Sequence, residues 1–329
     1  MGDTVRLGRR ARRKRPVLPL ILAAIAALLV AVGSVALALR SRLPDSSGTP
    51  ASSAVQPAPS KTLPQSFIDR NTASEYIMLE NVTTGQVLYS KNAETKCYPA
   101  SLTKLMTAIV ACENLSADTA ITVGDEIRLI DPESSRAYLT VGSRLTTEQL
   151  IEAMLLPSGN DAAYALAAAA GRRIANNDSL GNVDAIRLFC TKMNEKAQAL
   201  GCTGTHFSNP DGIHAEDHYT TAADMLKIAT YALQQDIIAR TVCQPQVTVT
   251  MLSGQTVTWK NSNKLVREDN AFTYAGATGL KTGSTNEAGY CLIASATRDG
   301  QTSIAVVMGA KQESNRWEDA SGLLDISFQ

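Results

Sequence analysis

The chain of 329 residues is long enough for one large domain or two smaller ones, and its hydrophobic fraction of 44% is that of an ordinary globular protein. Its formal net charge of zero conceals a segregation of charge: residues 1–42 hold nine Lys and Arg against one acid, which leaves 22 bases and 30 acids in the remainder. Such an acidic body argues against a nucleic-acid partner, because phosphate binding requires a basic surface.

The N-terminal segment predicts export. Residues 1–16 form a basic tail, expected to be cytoplasmic, and the apolar residues 17–39 follow it. As a helix this stretch would be about 35 Å long, enough to cross a bilayer core of about 30 Å with its basic flank on the cytoplasmic side. The alternative is a cleaved secretory signal, since residues 36–38 (Ala-Leu-Ala) resemble a cleavage site. We therefore expect a membrane protein with an extracytoplasmic domain, or a secreted protein if the segment is removed.

Residues 40–73, rich in Pro, Ser and Ala, predict a linker, and residues 74–329 predict the folded domain. Segments with strand patterns occur near both ends of this domain, and segments with helical patterns lie between them. We therefore expect an α+β fold in which strands from both ends of the domain share one sheet. The predicted strands are 76–80, 86–90, 290–297 and 302–308, and the predicted helices are 101–114, 147–156, 160–170, 183–200, 221–234 and 314–328.

The first motif is Ser-Leu-Thr-Lys at residues 101–104. At the start of a helix, Ser101 and Lys104 would lie on the same face, about 5–6 Å apart. A lysine amine this close can take the serine proton if it is neutral often enough, and burial or a second cation such as Lys281 would lower its pKa. Taken alone, the motif also fits a helix-capping serine followed by a solvated lysine.

The second motif is Ser-Gly-Asn at residues 158–160, between two predicted helices. The Ser158 hydroxyl could pass a proton towards a leaving amine, and the Asn160 amide could bind a substrate backbone or orient Lys104. By itself the motif is better explained as a turn between two helices, with Ser158 or Gly159 as the cap.

The third motif is Lys-Thr-Gly at residues 281–283, before the strand that begins near Tyr290. A cation and a hydroxyl at a sheet edge suit a substrate that ends in a carboxylate, and Gly283 would let the ligand backbone approach closely. A solvated edge strand is the alternative for this motif alone.

The three histidines, His206, His214 and His218, lie close together in sequence, near Asp211 and Asp217. Their spacing matches no usual metal-ligand pattern, and residues 210–212 (Pro-Asp-Gly) are typical of an ordinary turn, so neither a metal nor a cofactor is expected. So few histidines make a Ser-His-Asp triad improbable, which favours a lysine base.

The six cysteines show no CxxC spacing, so a zinc site is not expected. Cys190 and Cys202 flank a predicted helix that would separate them by about 18 Å, whereas a disulfide needs Cα atoms within about 7 Å. Free, buried thiols are therefore predicted for most of the six.

With the three motifs in this order, the sequence resembles the low-molecular-mass penicillin-binding proteins that act as serine D-alanyl-D-alanine carboxypeptidases. The resemblance covers roughly residues 74–328. Beyond the three motifs it is carried by residues 99–107, 158–162, 193–195, 206–212, 221–225, 279–283 and 288–291.

The resemblance implies a β-lactamase/DD-transpeptidase-like fold, an antiparallel sheet flanked by helices with a mostly helical subdomain. It implies that Ser101 attacks the D-Ala–D-Ala bond of peptidoglycan stem peptides with Lys104 as its base, that the terminal D-Ala leaves, and that water clears the acyl-enzyme. The backbone N–H groups of Ser101 and Ser284 would form the oxyanion hole, and Lys281 and Thr282 would hold the substrate carboxylate. β-Lactam antibiotics would be covalent inhibitors.

Three other functions share this fold or these motifs. A β-lactamase would need a Glu-x-x-x-Asn segment between the second and third motifs, and none is present. The residues three and four positions after Glu195 are Gln198 and Ala199, so no Asn stands there. A non-catalytic wall-binding relative would be expected to lack a residue of the motifs, which are complete here. Endopeptidase or transpeptidase activity uses the same residues and stays open. Because the sequence ends at Gln329, where many members of the family continue into a second β-rich domain and an amphipathic anchor, the N-terminal segment is expected to be the membrane attachment.

Overall fold

The computed structural model describes residues 72–329. The strands are β1 (Tyr76–Asn81), β2 (Gln86–Lys91), β3 (Ala120–Thr122), β4 (Arg144–Thr146), β5 (Gln246–Thr250), β6 (Thr256–Lys260), β7 (Ala277–Thr285), β8 (Gly289–Arg298) and β9 (Gln301–Ala310). The helices are α1 (Lys104–Asn114), α2 (Thr147–Leu155), α3 (Asn160–Ala175), α4 (Asn182–Ala199), α5 (Ala222–Ala232), α6 (Asp236–Val242) and α7 (Glu313–Ser327).

The main sheet has five antiparallel strands in the order β2-β1-β9-β8-β7. Strands from both ends of the domain therefore share one sheet, which confirms the predicted architecture. Strand β7, which carries the third motif, lies at the edge of this sheet. The two-stranded sheets β3-β4 and β5-β6 and the short helix α6 were not among the predicted elements, because segments this short carry little periodic signal.

Side chains on the two faces of the sheet enter different cores, as the two-residue period of a strand requires. In β9, Ile304 and Val306 face the core that contains the helices α1 to α6, whereas Ala305 and Val307 face a second core built with α7. Trp317 is the large aromatic residue of that second core. The sheet is thus covered by the helical subdomain on one face and by the C-terminal helix on the other.

The helix predicted to start at Ser101 begins at Lys104 instead. Residues 100–103 form a 3₁₀ turn that leads into α1. Ala100 has φ of 47°, in the left-handed region, so the α-helical pattern cannot extend back through it. The other predicted helices lie where the sequence indicates, and the largest difference is that α3 continues to Ala175 rather than ending at 170.

The predicted tail, the apolar segment 17–39 and nearly all of the linker lie outside the described residues. Within residues 72–329, none of the helices combines the length and the hydropathy that a membrane crossing requires.

Candidate active site

The 3₁₀ turn and the first turn of α1 bring the two residues of the first motif together. The Lys104 Nζ donates a hydrogen bond to the Ser101 Oγ at 2.8 Å. Ser101 is half-buried and therefore accessible, whereas Lys104 has no exposed surface. A serine hydroxyl and a buried amine at this distance form the nucleophile–base pair that acyl transfer needs.

Burial gives Lys104 the properties of a base. It lowers the lysine pKa to about 8, although the negative charges of Asp211 and Asp161 oppose this shift. A fraction of the side chain is then neutral near neutral pH, so it can accept a proton from Ser101. Burial is the leading cause of the lowered Lys104 pKa, so a second cation such as Lys281, which the sequence suggested, is not the main cause.

The turn at residues 210–212 supports the base directly. The backbone carbonyl of Asp211 accepts a hydrogen bond from Lys104 Nζ at 2.7 Å, and the carbonyl of Pro210 accepts one from the Thr107 hydroxyl at 2.6 Å. The sequence predicts an ordinary turn for this Pro-Asp-Gly segment, which also belongs to the residues that carry the family resemblance. Its role depends on a backbone carbonyl, which no side-chain pattern reveals.

The second motif lies between α2 and α3 in a constrained backbone. Ser158 has φ of 65° and is nearly buried, and its carbonyl accepts a hydrogen bond from the Ser135 hydroxyl at 2.7 Å. A Cβ on Gly159 would lie 2.6 Å from the Ala153 carbonyl oxygen, so the position requires glycine. These contacts constrain the backbone that carries the Ser158 side chain.

Asn160 opens α3 and offers an unused acceptor. Its side-chain oxygen is buried and has no hydrogen-bond partner among the described residues. A buried amide oxygen without a partner is costly, which is a reason to expect a ligand N–H there. The charge of the adjacent Asp161 acts on Lys104, so the second motif lies beside the first.

The third motif brings the edge strand β7 against the nucleophile. A Cβ on Gly283 would lie 3.0 Å from the Ser101 backbone nitrogen and 3.1 Å from the Pro99 carbonyl oxygen. Thr282 is nearly buried, and its hydroxyl is hydrogen-bonded to the hydroxyl of Ser262 at 2.7 Å. Ser262 is a site residue that the sequence reasoning missed, because it belongs to no motif.

Lys281 is fully buried, and its Nζ donates a hydrogen bond to the Thr282 carbonyl at 2.9 Å. Burial holds its pKa well below the ordinary value, and the positive charges of Lys104 and Arg316 add to this effect. A carboxylate bound here would favour the charged form of Lys281 and would itself be attracted by it.

A cavity of about 650 Å³ lies beside the C-terminal end of β7. It is close to the start of the 3₁₀ turn at residues 100–103, called the nucleophile turn below because it carries Ser101. Ser284, the exposed residue after the third motif, lines it together with Tyr98, which precedes the turn. Glu287 and Lys311 also line it, so the cavity carries charged groups of both signs. It is large enough to take several residues of a peptide beyond the reacting bond.

The histidines between residues 206 and 218 contact other groups of the protein. Within residues 72–329, no group of three or more His, Cys, Asp or Glu side chains is arranged to hold a metal ion. His218 is hydrogen-bonded to Thr103 at 2.8 Å, and His214 packs edge-on against Tyr98. All six cysteines are free thiols, and Cys97, Cys190, Cys202 and Cys291 are buried.

Comparison with known proteins gives the family. The sequence profile of the D-alanyl-D-alanine carboxypeptidase family matches residues 61–312. The D-alanyl-D-alanine carboxypeptidase of Streptomyces sp. strain K15 is 37% identical over 75% of this chain and 84% of its own. The carboxypeptidase DacF of Bacillus subtilis strain 168 is 32% identical over 78% of this chain. The chain spans only 62% of that Bacillus relative.

Solved structures agree with the fold. The Streptomyces K15 DD-transpeptidase superposes with a TM-score of 0.71 at 34% identity, covering 78% of this chain and 97% of its own. The carboxypeptidase DacD of Francisella tularensis gives a TM-score of 0.68 at 26% identity, covering 87% of this chain and 76% of its own. The predicted DD-transpeptidase-like fold is thereby confirmed.

Proposed function

Because the chain belongs to the D-alanyl-D-alanine carboxypeptidase family, we propose that it removes the terminal D-Ala from peptidoglycan stem pentapeptides through an acyl-enzyme on Ser101. The observation that carries this proposal is the hydrogen bond of 2.8 Å between Lys104 Nζ and Ser101 Oγ. The base is buried and its pKa is lowered to about 8. The pair is therefore ready for proton transfer before any substrate arrives.

In the first step, neutral Lys104 takes the hydroxyl proton while Ser101 Oγ bonds to the carbonyl carbon of the penultimate D-Ala. The resulting oxyanion is stabilised by the backbone N–H groups of Ser101 and Ser284. Removal of one such donor typically costs about 10²–10³ in rate. The support for this arrangement is that β7 passes close to the turn that carries Ser101, since a Cβ on Gly283 would lie 3.0 Å from the Ser101 nitrogen.

In the second step, the carbon–nitrogen bond breaks and the proton held by Lys104 passes to the leaving amine through the Ser158 hydroxyl. The terminal D-Ala departs with its own carboxylate. A water molecule then attacks the ester, Lys104 accepts its proton, and the proton returns to Ser101 as the peptide acid is released. Each proton taken is given back, so no cofactor is required.

Recognition follows the order of groups along β7. Lys281 and Thr282 bind the terminal carboxylate, and Ser284 contacts the reacting carbonyl. The missing Cβ of Gly283 leaves room for residues 99–101, which pack against the strand there. The unpartnered Asn160 oxygen accepts a substrate N–H. The upstream part of the stem peptide then continues past Ser284 into the cavity of about 650 Å³.

The test is the intact mass of the protein after incubation with benzylpenicillin, followed by peptide mapping. We expect a stable penicilloyl adduct on Ser101, and none on a Ser101→Ala variant that folds normally. An adduct that persists in Ser101→Ala would refute the nucleophile. Loss of penicillin without an adduct would indicate a β-lactamase, and intact penicillin without an adduct would indicate a non-catalytic relative.

Transpeptidation is the second candidate. The Streptomyces K15 protein carries both names, D-alanyl-D-alanine carboxypeptidase for its sequence and DD-transpeptidase for its solved structure. The two reactions share the acyl-enzyme and differ in whether water or an amine removes the acyl group. Turnover of the pentapeptide in the presence of glycine as the acceptor, with the ratio of free acid to glycine adduct measured by mass spectrometry, distinguishes them. Carboxypeptidase action predicts the free acid as the main product, and endopeptidase action would require cleavage of cross-linked dimers.

The domain is proposed to act outside the cytoplasm, anchored by residues 17–39 or secreted after their removal. The support is the basic tail followed by an apolar stretch of membrane-spanning length. Protease protection of the full chain in spheroplasts checks the topology, and the mass of the mature protein checks cleavage. A domain that external protease cannot reach would contradict this location.

A further inference from the structure

A buried histidine lies directly below the nucleophile turn. His218 is 1% exposed and packs against the Phe207 ring. Desolvation lowers its pKa to about 3, so the imidazole is neutral under ordinary conditions. The acyl-transfer steps described above make no use of it. Its hydrogen bonds, however, lead to the residue before Ser101.

The partners of His218 define its tautomer. The backbone N–H of Ser208 donates to Nδ1 at 3.1 Å, so Nδ1 carries no proton. In a neutral imidazole the proton is then on Nε2, which donates to the Thr103 hydroxyl at 2.8 Å. The Thr103 hydroxyl in turn donates to the Ala100 carbonyl at 2.9 Å. These groups form one directed chain, in which each bond strengthens the next.

The end of this chain belongs to the same peptide group as the Ser101 N–H. The Ala100–Ser101 bond is trans, so the Ala100 carbonyl and the Ser101 N–H point in opposite directions within one rigid plane. A hydrogen bond that holds the Ala100 oxygen therefore also fixes the direction of the Ser101 N–H. The Ser101 nitrogen lies close to the edge strand, since a Cβ on Gly283 would be 3.0 Å from it.

The same peptide needs such support. Ala100 has φ of 47°, which costs a non-glycine residue of order 1 kcal/mol or more. Its carbonyl oxygen is also confined by the turn at 210–212, because a Cβ on Gly212 would lie only 1.9 Å from it. The Thr103 hydroxyl supplies the hydrogen bond that compensates this strained, enclosed carbonyl.

We propose that Thr103 and His218 are positioning residues of the oxyanion hole: they hold the Ala100–Ser101 peptide so that its N–H points at the developing oxyanion. The inference rests on the proposed acyl-enzyme at Ser101. Neither residue touches the substrate. They act through the orientation and polarisation of a backbone group that does.

The experiment compares Thr103→Val, which keeps the shape and removes the hydroxyl, with Thr103→Ser, which keeps the hydroxyl. Two quantities are measured with benzylpenicillin: the acylation rate constant at saturation, and the infrared stretching frequency of the ester carbonyl in the acyl-enzyme. Thr103→Val should acylate about 10–100-fold more slowly, with the carbonyl band at higher frequency because its hydrogen bond is weaker. Thr103→Ser should recover most of the rate and the original band.

Thr241→Val is the matched control, because Thr241 is also fully buried but its hydroxyl has no partner among the described residues. It should match the wild-type protein in both measurements. His218→Gln tests the next link and should shift the carbonyl band in the same direction. Circular dichroism and the melting temperature establish that each variant is folded.

A Thr103→Val protein with the wild-type rate and carbonyl band would overturn the proposal. So would a folded Thr103→Val protein that is slow but has an unchanged band, since the loss would then be a general structural effect. If Thr103→Val does not fold, an unshifted band in folded His218→Gln overturns the proposal in the same way. Failure of the wild-type protein itself to form an adduct would refute the proposed function, and this inference with it.

Discussion

The proposed mechanism assigns its proton transfer and its carboxylate binding to two buried lysines rather than to any histidine. Lys104 and Lys281 are both fully buried, and burial lowers the pKa of each. The same physical cause serves two ends. At Lys104 it makes the neutral form of the amine accessible, and at Lys281 it disfavours the charged form, which a bound substrate carboxylate would restore.

The pH dependence of acylation tests the role of Lys104. The neutral amine is the reactive form, and it predominates above its pKa of about 8. The acylation rate constant with benzylpenicillin should therefore rise about tenfold per pH unit on the acid side and level off above about pH 8. Lys104→Arg should lose this rise together with most of the rate, because a guanidinium does not deprotonate. A wild-type rate that is constant between pH 6 and 9 would contradict the assignment.

At the scale of elements, strand β7 and the turn at residues 210–212 lie on either side of the turn that carries Ser101. In the proposed mechanism strand β7 brings Lys281 and Thr282 to the substrate, and within residues 72–329 no further strand pairs with its outer edge. The turn at 210–212 packs against the other side, with Gly212 against the Ala100 carbonyl. The nucleophile turn is therefore held between two elements distant in sequence.

Removal of the β7 cation should affect recognition selectively. Lys281→Ala should lower kcat/KM about 10–100-fold on a peptide ending in D-Ala-D-Ala with a free carboxylate, since a charged hydrogen bond is worth about 1.5–3 kcal/mol. The loss should be much smaller on the same peptide with a C-terminal amide. Lys192→Ala, which removes an exposed lysine of α4 paired with Glu195, serves as the control and should leave both unchanged. Equal losses on the two peptides would argue against carboxylate binding.

Two glycines separate the effects of backbone conformation and of space. Gly212 (φ 89°) and Gly254 (φ 93°) share a left-handed backbone, but only Gly212 has a neighbour where a Cβ would stand. Gly254→Ala should cost about 1–2 kcal/mol of unfolding free energy through its φ alone. Gly212→Ala should cost several kcal/mol more, because the turn must move away from Ala100, and it should slow acylation. Urea unfolding measures both; equal costs would show that the contact does not matter.

At the scale of the whole molecule, the site depends on a core that closes around polar groups. Lys104, Asp211 and His218 are all buried on the helical side of the sheet. Lys104 and His218 are hydrogen-bonded, and Asp211 accepts the Ile213 N–H through Oδ1, whereas its Oδ2 has no partner among the described residues. Burial of such groups makes the stability of the whole fold depend on pH.

Acid should destabilise the fold partly through His218. Its pKa is about 3 in the folded protein against 6.5 for an ordinary histidine, so the unfolded chain binds more protons between these values and stability falls as pH drops through that window. Neighbouring Asp217 opposes the shift, whereas His206, His214 and Lys104 favour it. The contribution is about 1.4 kcal/mol per pH unit. Urea unfolding at pH 7 and pH 5 should show a smaller acid loss in His218→Gln than in the wild-type protein; equal losses would contradict this.

Short-range signals made much of this molecule predictable. The helical stripe after Ser101, the apolar run after Asn160 and the strands near both ends follow from local periodicity. Residues one turn apart, such as Ser101 and Lys104, could be paired from helix geometry alone. Short elements such as β3 and α6 could not be predicted, because they contain too few residues for a periodic pattern to emerge.

The sequence by itself determined the three motifs, their order and hence the family, since these depend on residue types along the chain. Only the tertiary structure decided that Lys104 is buried, that the Asp211 carbonyl holds its amine, and that His218 reaches the Ala100 carbonyl through Thr103. The reason is physical: burial, backbone carbonyl direction and a histidine tautomer are properties of packed neighbours, and those neighbours lie more than a hundred residues away in the chain.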